Sequence, residues 1–416
     1  MGRAEKSMTL FQTYKLEDLL KAIFSGGTPS TTHPEYWNGE FPWLSSGETN
    51  HPYISKTEKT ITQEGINQSS TRFAPPGAVV MASAGQGKTR GQTSFLKIGV
   101  YINQSIIAMV PDETQLLAKY LYYNLQFRYD ELRSSSDSSS TRGSITTELL
   151  KALKITIPDL PTQEKIASIL SAYDDAIENN NKRIKILEKM AENLYREWFV
   201  RMRFPGHETA EYENGLPKGW SVKRMQEFCY VTDGTHDTPQ PKTYGIPLVT
   251  GKSISNGFID FSQTYNIAVK DHEAIQKRSG VVTGDIIFSN IGTIGNCCIV
   301  DYDREFSVKN AIIFKPNTWA VSVYLYYWLT SSSVKNLFLG QSNGASQQFV
   351  GLTYMRRMKI FIPSKHVIES FGKSTRPILE QRKILHRKNA SLSYQRNKLL
   401  SRLLTVNQNY ISGKIK

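Results

Sequence analysis

The sequence has little cysteine and no long apolar run. Its 416 residues include three cysteines, Cys229, Cys297 and Cys298, and none lies in a C-x-x-C pair. We therefore expect neither a disulfide framework nor a zinc site, and we interpret the thiols as small apolar core residues in a reducing cytoplasm. No apolar run reaches the ~18 residues of a membrane helix. The N-terminus, MGRAEKSMTLFQ, lacks the apolar segment of a secretory signal.

Acidic residues are scarce relative to basic ones. The chain has 51 Lys and Arg against 37 Asp and Glu, a formal net charge of +14. The excess is uneven: residues 364–416 contain 12 basic and 2 acidic side chains, whereas residues 158–205 contain 8 of each. This balance favours a polyanionic partner, most often nucleic acid. A merely soluble basic surface, or docking of the terminal segment to acidic partner proteins, would also account for it.

The chain is an internal repeat, which must be recognised before its motifs are interpreted. KYLYYNL at 119–125 returns as VYLYYWL at 323–329, and LKITIP at 153–158 returns as MKIFIP at 358–363. The glycine-threonine turn at Gly27 has a weaker counterpart at Gly234. The two members of each pair are about 205 residues apart, and this separation varies by only a few residues from pair to pair. The chain therefore consists of two homologous halves of about 205 residues.

Both halves predict the same order of elements and an α/β (α+β) fold class. Short β-branched runs such as GAVVMAS and GDIIFSN predict strands, and the YLYY segments predict helices. A Ser/Gly/Gln-rich loop is expected next, RSSSDSSSTRGS in one half and LGQSNGASQQF in the other. A short strand ending at Pro158 or Pro363 and a long helix complete each half.

The first long helix, predicted over residues 162–200, has the clearest pattern in the sequence. Asp159 suits its start and Pro205 its end. Steps of four and three residues define a heptad seam with one polar interruption, formed by Ile166, Leu170, Tyr173, Ile177, Asn180, Ile184, Leu187, Ala191, Leu194 and Trp198. A buried Asn180 would fix the register of a helix pair; alternatively, it faces solvent.

The second long helix repeats less regularly. Apolar residues recur every seventh position at Ile378, Leu385, Leu392 and Leu399. The intervening positions are polar, namely Thr375, Arg382, Asn389 and Arg396. Pro377 predicts a kink or break, with the regular helix starting near it. A helix with only one apolar position per heptad is not stable in isolation. We therefore expect the second helix to pair antiparallel with the first, as a coiled coil with pseudo-two-fold symmetry.

The stretch VVMASAGQGKTRG, residues 79–91, resembles a phosphate-binding loop if Ala82 replaces its first glycine. The corresponding stretch of the second half, DIIFSNIGTIGNCCIV, lacks Gly-Lys-Thr. The continuation RGQTSFL predicts a return strand, whereas a nucleotide site needs a helix there. We therefore predict a β-hairpin with glycines at its tip.

Catalytic motifs are missing from the sequence. A base-flipping adenine methyltransferase needs an N-P-P-[FY]-like turn, and APPG at 74–77 lacks both the amide and the aromatic residue. The seven histidines give no H-E-x-x-H or comparable metal spacing, and no nuclease-like acidic cluster stands out. The sequence therefore offers no catalytic or metal-binding motif of these kinds.

Two α/β domains, each followed by a long helix, resemble the DNA-specificity (S) subunit of type I restriction–modification systems. The segment IPDLPTQEKIASILSAYDDAIENNNKRIKILEKMAENLYREWFVRMRFPG, residues 157–206, is similar to the central conserved region of that family, and ENGLPKGWSV at 213–222 is similar to the opening of its second target recognition domain. The resemblance implies recognition domains at 1–157 and 207–363. It implies helical spacers at 158–206 and 364–405, and a tail at 406–416.

The resemblance also implies a division of labour. Each recognition domain reads one half of a split double-stranded DNA sequence, and the paired helices separate the domains and dock two modification subunits. Those partners carry S-adenosylmethionine and methylate adenine, and restriction subunits add ATP- and magnesium-dependent translocation and cleavage. By this resemblance the chain itself has no catalytic residues and binds no metal or cofactor. The family implies half-sites separated by about 5 to 8 base pairs, which suits a helical rod of ~58 Å between two readers one DNA turn apart.

Candidate DNA contacts are polar residues in loops that follow the predicted strands, because amides and guanidinium groups read base edges and hydroxyls or lysines bind phosphate. In the first half they are Thr28, Ser83, Gln86, Lys88, Arg90, Gln92, Thr141 and Arg142. In the second half they are Thr235, His236, Asn290, Thr293, Asn296, Ser346, Gln347 and Gln348. The two sets differ, which predicts an asymmetric target.

Three other interpretations stay open at this point. A P-loop NTPase would use residues 79–89, a coiled-coil scaffold would not read DNA, and an S subunit could have lost its activity.

Overall fold

The computed structural model describes residues 11–85, 87–139, 143–341 and 349–411, without the side chains of residues 138–139, 339–341 and 406–411. The chain divides into two compact units. The first unit comprises residues 1–181 and 386–416, and the second comprises residues 182–385. Among the described residues, no helix is both long and apolar enough to cross a membrane.

The first unit contains eleven strands and the helices α1 to α4 within its described residues. The strands are β1 (Gln12–Lys15), β2 (Leu20–Ser25), β3 (Trp37–Leu44), β4 (Tyr53–Ile54), β5 (Lys59–Ile61), β6 (Arg72–Ala74), β7 (Val79–Ala82), β8 (Thr93–Leu96), β9 (Val100–Ile102), β10 (Ile106–Pro111) and β11 (Lys154–Ile157). The helices are α1 (Gln63–Asn67), α2 (Ala118–Phe127), α3 (Tyr129–Ser139) and α4 (Thr147–Lys151), and the longer α5 (Leu160–Tyr195) begins in this unit.

The main sheet of the first unit lies between helices and a second sheet. Its strand order is β2-β10-β7-β8-β4, and the second sheet has the order β5-β3-β9-β6. Along β7 the side chains alternate: Val79 and Met81 pack with Tyr120 of α2, whereas Val80 packs with Leu44 and the second sheet. This two-residue alternation explains why a fully buried strand appears as an uninterrupted apolar run.

The second unit repeats this plan. Its strands are β12 (Tyr212–Glu213), β13 (Leu216–Pro217), β14 (Ser221–Arg224), β15 (Tyr230–Asp233), β16 (Ile246–Val249), β17 (Ile254–Ser255), β18 (Phe258–Ile259), β19 (Tyr265–Ile267), β20 (Ile286–Phe288), β21 (Cys297–Ile299), β22 (Ser307–Val308), β23 (Ile312–Lys315) and β24 (Lys359–Ile362). Its helices are α6 (Met225–Phe228), α7 (Val269–Ser279), α8 (Trp319–Thr330), α9 (Ser332–Gln341) and α10 (Leu352–Arg357), and the longer α11 (Lys365–Ile411) begins in this unit.

The sheets of the second unit match those of the first except that β4 and β6 have no counterpart in them. The order β15-β23-β20-β21 corresponds to β2-β10-β7-β8, and β19-β16-β22 corresponds to β5-β3-β9. The ribbon β14–β24 corresponds to β1–β11. Phe288 and Phe314 face α8, whereas Ile287 and Ile313 face the second sheet. The predicted fold class, with two homologous domains each followed by a long helix, is confirmed.

The first long helix is confirmed and begins where the sequence predicts. The Asp159 carboxylate accepts a hydrogen bond of 3.3 Å from the backbone N–H of Thr162 in the first turn of α5. After Tyr195 the helix continues as a π-helical turn, Arg196–Val200. The predicted seam residues Ile166, Leu170, Ile184 and Trp198 are buried, and the other apolar members are buried or half-buried.

Within each unit, α5 packs antiparallel to α11. In the first unit Ile166 and Leu170 share a core with Leu400 and Leu404. In the second unit Tyr195 and Trp198 pack on Phe371, with ring centroids 6.2 and 5.7 Å apart. The predicted seam residues of α11, namely Ile378, Leu385, Leu392 and Leu399, are buried or half-buried.

The break predicted near Pro377 was wrong. Helix α11 runs without interruption from Lys365, twelve residues before the proline. A residue other than proline at position 377 would donate its N–H to the carbonyl of Lys373, and proline leaves that carbonyl without this hydrogen bond. Pro377 and Lys373 are both exposed, so the carbonyl can be hydrated instead. The segment before it is held by burial of Val367, Ile368 and Phe371 in the core of the second unit.

The Ser/Gly/Gln-rich stretches begin as helix, contrary to the predicted loops, whereas Gly143, Ser144 and Phe349 near their ends are not helical. Helix α3 extends to Ser139 and α9 to Gln341. In α3, Leu132 and Ser136 are fully buried, and the Ser136 hydroxyl donates to the carbonyl of Arg133 at 2.7 Å. Packing and this internal hydrogen bond outweigh the weak helix propensity of serine.

Candidate nucleic-acid interface

In the first unit, three loops leave the main sheet at one edge, and two of them contain predicted DNA contacts. Strand β2 ends with Ser25 opposite Ile107, and β7 ends with Ala82 opposite Ile106, the first residue of β10. The glycine-threonine turn after β2, the hairpin after β7 and the turn before β10 therefore emerge together. We call this edge, with its three loops, the loop edge.

The second unit has the same loop edge. Asp233 at the end of β15 and Phe288 at the end of β20 both lie opposite Ile312, the first residue of β23. A fourth segment joins each edge through an equivalent hydrogen bond. The N–H of Ile145 donates to the carbonyl of Ser83 at 2.8 Å, and the N–H of Val350 donates to that of Asn290 at 3.0 Å.

The loop between β7 and β8 is a hairpin, as predicted. Strands β7 and β8 pair antiparallel, and the N–H of Gly91 donates to the carbonyl of Ala82 at 2.8 Å. Gly85 and Gly87 have φ angles of +135° and +63°, which glycine adopts without steric cost. A strand follows where a P-loop requires a helix, so the nucleotide-binding interpretation is wrong.

Two of the first hairpin's candidate contacts are structural in this conformation. Arg90 is only 8% exposed, and its guanidinium donates to the carboxylate of Asp137 at 2.6 Å and to the carbonyl of Gly143. Ser83 is also buried. They are therefore unsuited to contacting DNA, contrary to the prediction. Gln92 is half-buried, and Lys88 is exposed and available for a phosphate.

The second hairpin is braced by its own candidate residues. Asn290 is buried, and its side-chain amide donates to the carbonyl of Val350 at 3.0 Å. This burial contradicts its predicted role as a DNA contact. Thr293 and Asn296 are exposed, but the Asn296 amide donates to the carbonyl of Ile254 at 3.0 Å. The Thr293 hydroxyl also has internal partners, the Ser289 hydroxyl at 3.1 Å and the carbonyl of Gly251 at 3.4 Å.

The glycine-threonine turns place polar groups differently in the two units. Thr28 is exposed and donates its hydroxyl hydrogen bond to the side-chain oxygen of Gln104. Thr235 is buried, which argues against the predicted contact, but the next residue, His236, is exposed. The His236 ring lies between the Asp233 carboxylate at 2.7 Å and the Asn310 amide at 3.1 Å.

Six predicted contacts lie outside the described residues. They are Gln86, Thr141, Arg142, Ser346, Gln347 and Gln348.

The structure adds residues at the loop edge that the sequence pattern did not single out. Gln104 and Asn310 occupy equivalent turns before β10 and β23. A signal was present, because NQSII at 103–107 aligns with KNAII at 309–313 in the repeat. The sequence pattern did not single out Gln104 and Asn310 because their turns precede strands, whereas the predicted contacts lie in loops that follow strands.

Positive charge accompanies the loop edge in both units. In the second unit the guanidinium of Arg278 lies 2.9 Å from the Asp233 carboxylate and is half-exposed, and the Lys309 ammonium donates to the hydroxyl of Thr238. In the first unit the Arg72 guanidinium lies 4.1 Å from the ring centroid of Phe24, beside the end of β2. These groups suit phosphate contacts. The described residues contain no cluster of three or more potential metal ligands.

The sequence matches a family model described as "Type I restriction modification DNA specificity domain" twice, at residues 8–189 and 217–387. The chain belongs to this family. As in the structure, the two matches divide the sequence into two homologous halves. Members of this specificity family recognise DNA and are not catalytic, so the chain is a non-catalytic specificity subunit.

Curated relatives carry the same description. The type I restriction enzyme MjaIX specificity subunit of Methanocaldococcus jannaschii is 27% identical over 383 residues, covering 88% of this chain and 86% of that protein. The type I restriction enzyme EcoR124I/EcoR124II specificity subunit of Escherichia coli is 30% identical over 194 residues, 45% of this chain and 47% of that protein. Similarity to the first extends over both halves.

A solved structure supports the fold. The type I restriction–modification S subunit from M. genitalium superposes with a TM-score of 0.56 and 15% sequence identity, covering 97% of this chain and 98% of that one. At this identity the comparison bears on the fold alone.

Proposed function

We propose that this specificity subunit reads a two-part, gapped and asymmetric double-stranded DNA sequence and directs adenine methyltransferase and restriction subunits to it. We assign target recognition to residues 1–157 and 207–363, and spacing and partner docking to residues 158–206 and 364–405, with a tail at 406–416. S-adenosylmethionine, ATP and magnesium would be bound by the partner subunits.

The observation that carries the proposal is the loop edge, which occurs twice with different side chains. Lys88 is exposed on the first hairpin, whereas Thr293 and Asn296 are exposed on the second. Two edges with equivalent strands and different polar groups suit two half-sites of different sequence, because base identity is read by side chains in the major groove.

Methylation mapping tests the proposal directly. The subunit would be co-expressed with the adjacent modification gene in cells without other adenine methylation, and N6-methyladenine would be mapped across the genome. We expect a single gapped motif with two unlike halves separated by about 5 to 8 base pairs, as the family resemblance implies. A continuous or palindromic motif would contradict the asymmetric reading. If neither methylation nor a complex were found, a coiled-coil scaffold would be favoured.

Salt dependence provides an independent test on the purified complex. Each phosphate neutralised by a lysine or arginine contributes about −0.9 to the slope of log affinity against log salt concentration. We expect a steep slope for the complex on its own motif. A flat salt response would count against DNA as the partner of the basic surface.

A further inference from the structure

Each unit presents one side-chain amide at the same place on its loop edge. Gln104 lies two residues before β10, and Asn310 lies two residues before β23. Both amides contact a residue of the glycine-threonine turn of their own unit: Gln104 contacts Thr28, and Asn310 contacts His236. The amide therefore recurs in both halves although most of the surrounding side chains differ.

In the first unit the contact leaves the amide able to bind another group. The Thr28 hydroxyl occupies one lone pair of the Gln104 side-chain oxygen. The Gln104 side chain is exposed, and its amide nitrogen forms no hydrogen bond with any other described residue. One acceptor position and two N–H donors are thus free, held in orientation by Thr28.

The close approach of the turn to the neighbouring strand depends on glycine. The N–H of Gly27 donates to the carbonyl of Ile102 at 3.1 Å, and a Cβ added to Gly26 would lie 2.0 Å from that carbonyl oxygen. Thr28 is therefore brought against the turn that holds Gln104 by backbone that no larger residue could occupy without displacement.

The second unit reaches the same arrangement with different residues. A Cβ added to Gly234 would lie 2.2 Å from the carbonyl oxygen of Val308. Asp233 holds the His236 ring, which in turn contacts the Asn310 amide. Asn310 adopts a φ of +50°, a left-handed conformation that asparagine tolerates better than most residues.

We propose that Gln104 and Asn310 each read an adenine in the major groove, one in each half of the target. This inference rests on the proposed function and assigns the base class that each domain recognises. An amide pairs with adenine in two places, since its N–H donates to N7 and its oxygen accepts from the N6 amino group. Lys309 and Arg278 in the second unit, and Arg72 in the first, lie near enough to the edge to hold flanking phosphates.

Binding selection with the assembled complex of specificity and modification subunits tests the inference. Variants Gln104→Ala and Asn310→Ala would be compared with the unmodified complex on a randomised DNA library. Gln104→Ala should lower the preference for adenine at one position of one half-site, on the order of ten- to a hundredfold. Asn310→Ala should do the same at one position of the other half-site. The unaffected half-site in each variant reports that the protein is folded.

Matched controls lie at the opposite ends of the same strands. Gln115 follows β10 and Asn317 follows β23, and both side chains are exposed. Gln115→Ala and Asn317→Ala should leave every position of the motif unchanged. A further variant at the proposed contact, Gln104→Glu, keeps the side-chain length but removes the N–H donors. It should move the preference at the position read by Gln104 from adenine toward cytosine, whose N4 amino group donates.

Three outcomes separate the inference from the function on which it rests. If the unmodified complex selected no gapped motif, the proposed function itself would fail. If that motif were present and Gln104→Ala weakened all sequences equally, the amide would have a structural or phosphate-binding role and the inference would be overturned. The inference would also be overturned if Gln104→Ala changed the preference at a position where the unmodified complex does not select adenine.

Discussion

The side-chain amide of Asn180 donates a hydrogen bond of 2.9 Å to the side-chain oxygen of Asn389. Both side chains are buried between α5 and α11 in the first unit, and the Asn389 amide also donates to Asn181 at 2.8 Å. Asn180 thus faces its partner helix and not solvent. Because each amide has a partner only in this alignment, the pair favours one register of the two helices.

We predict that removing one member of this pair costs more than removing both. Asn389→Ala leaves the buried amide of Asn180 without its partner, so the free energy of unfolding should fall by about 1–3 kcal/mol. The double variant Asn180→Leu/Asn389→Leu should lose less or gain stability, because it leaves no buried amide unpaired and the exposed Asn181 can bind water instead. Urea denaturation followed by circular dichroism measures both, with the exposed Lys388→Ala as control. Equal losses in the single and double variants would contradict this account.

A second contact between the same helices is charged. The Arg396 guanidinium donates to the carboxylate of Asp174, which is 3% exposed and also accepts from the Tyr123 hydroxyl at 2.7 Å. Burial acts to lower the pKa of Arg396, but the charge of Asp174, the hydrogen bond to it and the nearby Tyr122 and Tyr123 together outweigh burial, and the pKa is raised. Arg396→Met should therefore lower the free energy of unfolding by about 3 kcal/mol, since a buried carboxylate loses its counter-ion.

The charged pair has its own internal comparison. Asp174→Leu/Arg396→Leu should recover part of the loss, because no buried charge stays unpaired, although the buried Tyr123 hydroxyl loses its acceptor. Arg402→Met on the exposed face of α11 serves as a control for the loss of one positive charge. If the double variant were as unstable as Arg396→Met, packing and not charge would explain the effect.

Sequence patterns predicted elements whose signal is local or periodic. The heptad of α5 and the hairpin after β7 follow from the spacing of apolar residues and glycines within a short stretch of chain, and the repeat follows from matching segments about 205 residues apart. The polar positions of α11 contact α5. The Arg382 guanidinium lies 3.5 Å from the Glu188 carboxylate, and Asn389 and Arg396 form hydrogen bonds to α5. Their partners could not be named, because they lie about 190 to 220 residues away.

The sequence could not predict which polar side chains of the loop edge are buried. Arg90 looks like a phosphate contact on a glycine-rich tip, and its burial depends on Asp137, which is 47 residues away. The burial of Asn290 likewise depends on a distant residue, because its side-chain N–H donates to the carbonyl of Val350, 60 residues away. The continuity of α11 through Pro377 depends on packing of the segment before it, which tertiary structure supplies and local propensity does not.

Lys88 and Arg90 should behave differently although both are basic residues of one hairpin. Lys88→Ala should weaken DNA binding of the assembled complex uniformly across sequences and reduce the salt slope by about 1. Arg90→Ala should leave the slope unchanged and lower the thermal midpoint, because the Asp137 contact is lost. Affinity measured at several salt concentrations, with melting curves for each variant, distinguishes them. A reduced slope for Arg90→Ala would show that its guanidinium reaches a phosphate.

The three cysteines should be unreactive in the folded protein. Burial raises the pKa of Cys229 and of Cys298 to about 12, and the pKa of Cys297 well above its usual value. The thiolate fraction at pH 8 is then on the order of a thousandfold below that of a free cysteine, and alkylation slows accordingly. Mass spectrometry after N-ethylmaleimide treatment, with and without urea, measures this. Rapid labelling without urea would contradict the buried placement.

Thr28 should act on DNA specificity through Gln104. Thr28→Val removes the hydroxyl that orients the Gln104 amide, so discrimination at the base read by Gln104 should fall by roughly two- to tenfold, less than in Gln104→Ala. Thr28→Ser keeps the hydroxyl and should retain most of the discrimination. Binding selection with the assembled complex compares the three variants position by position. If Thr28→Val changed the affinity for all sequences equally, Thr28 would contact the DNA backbone and would not position the amide.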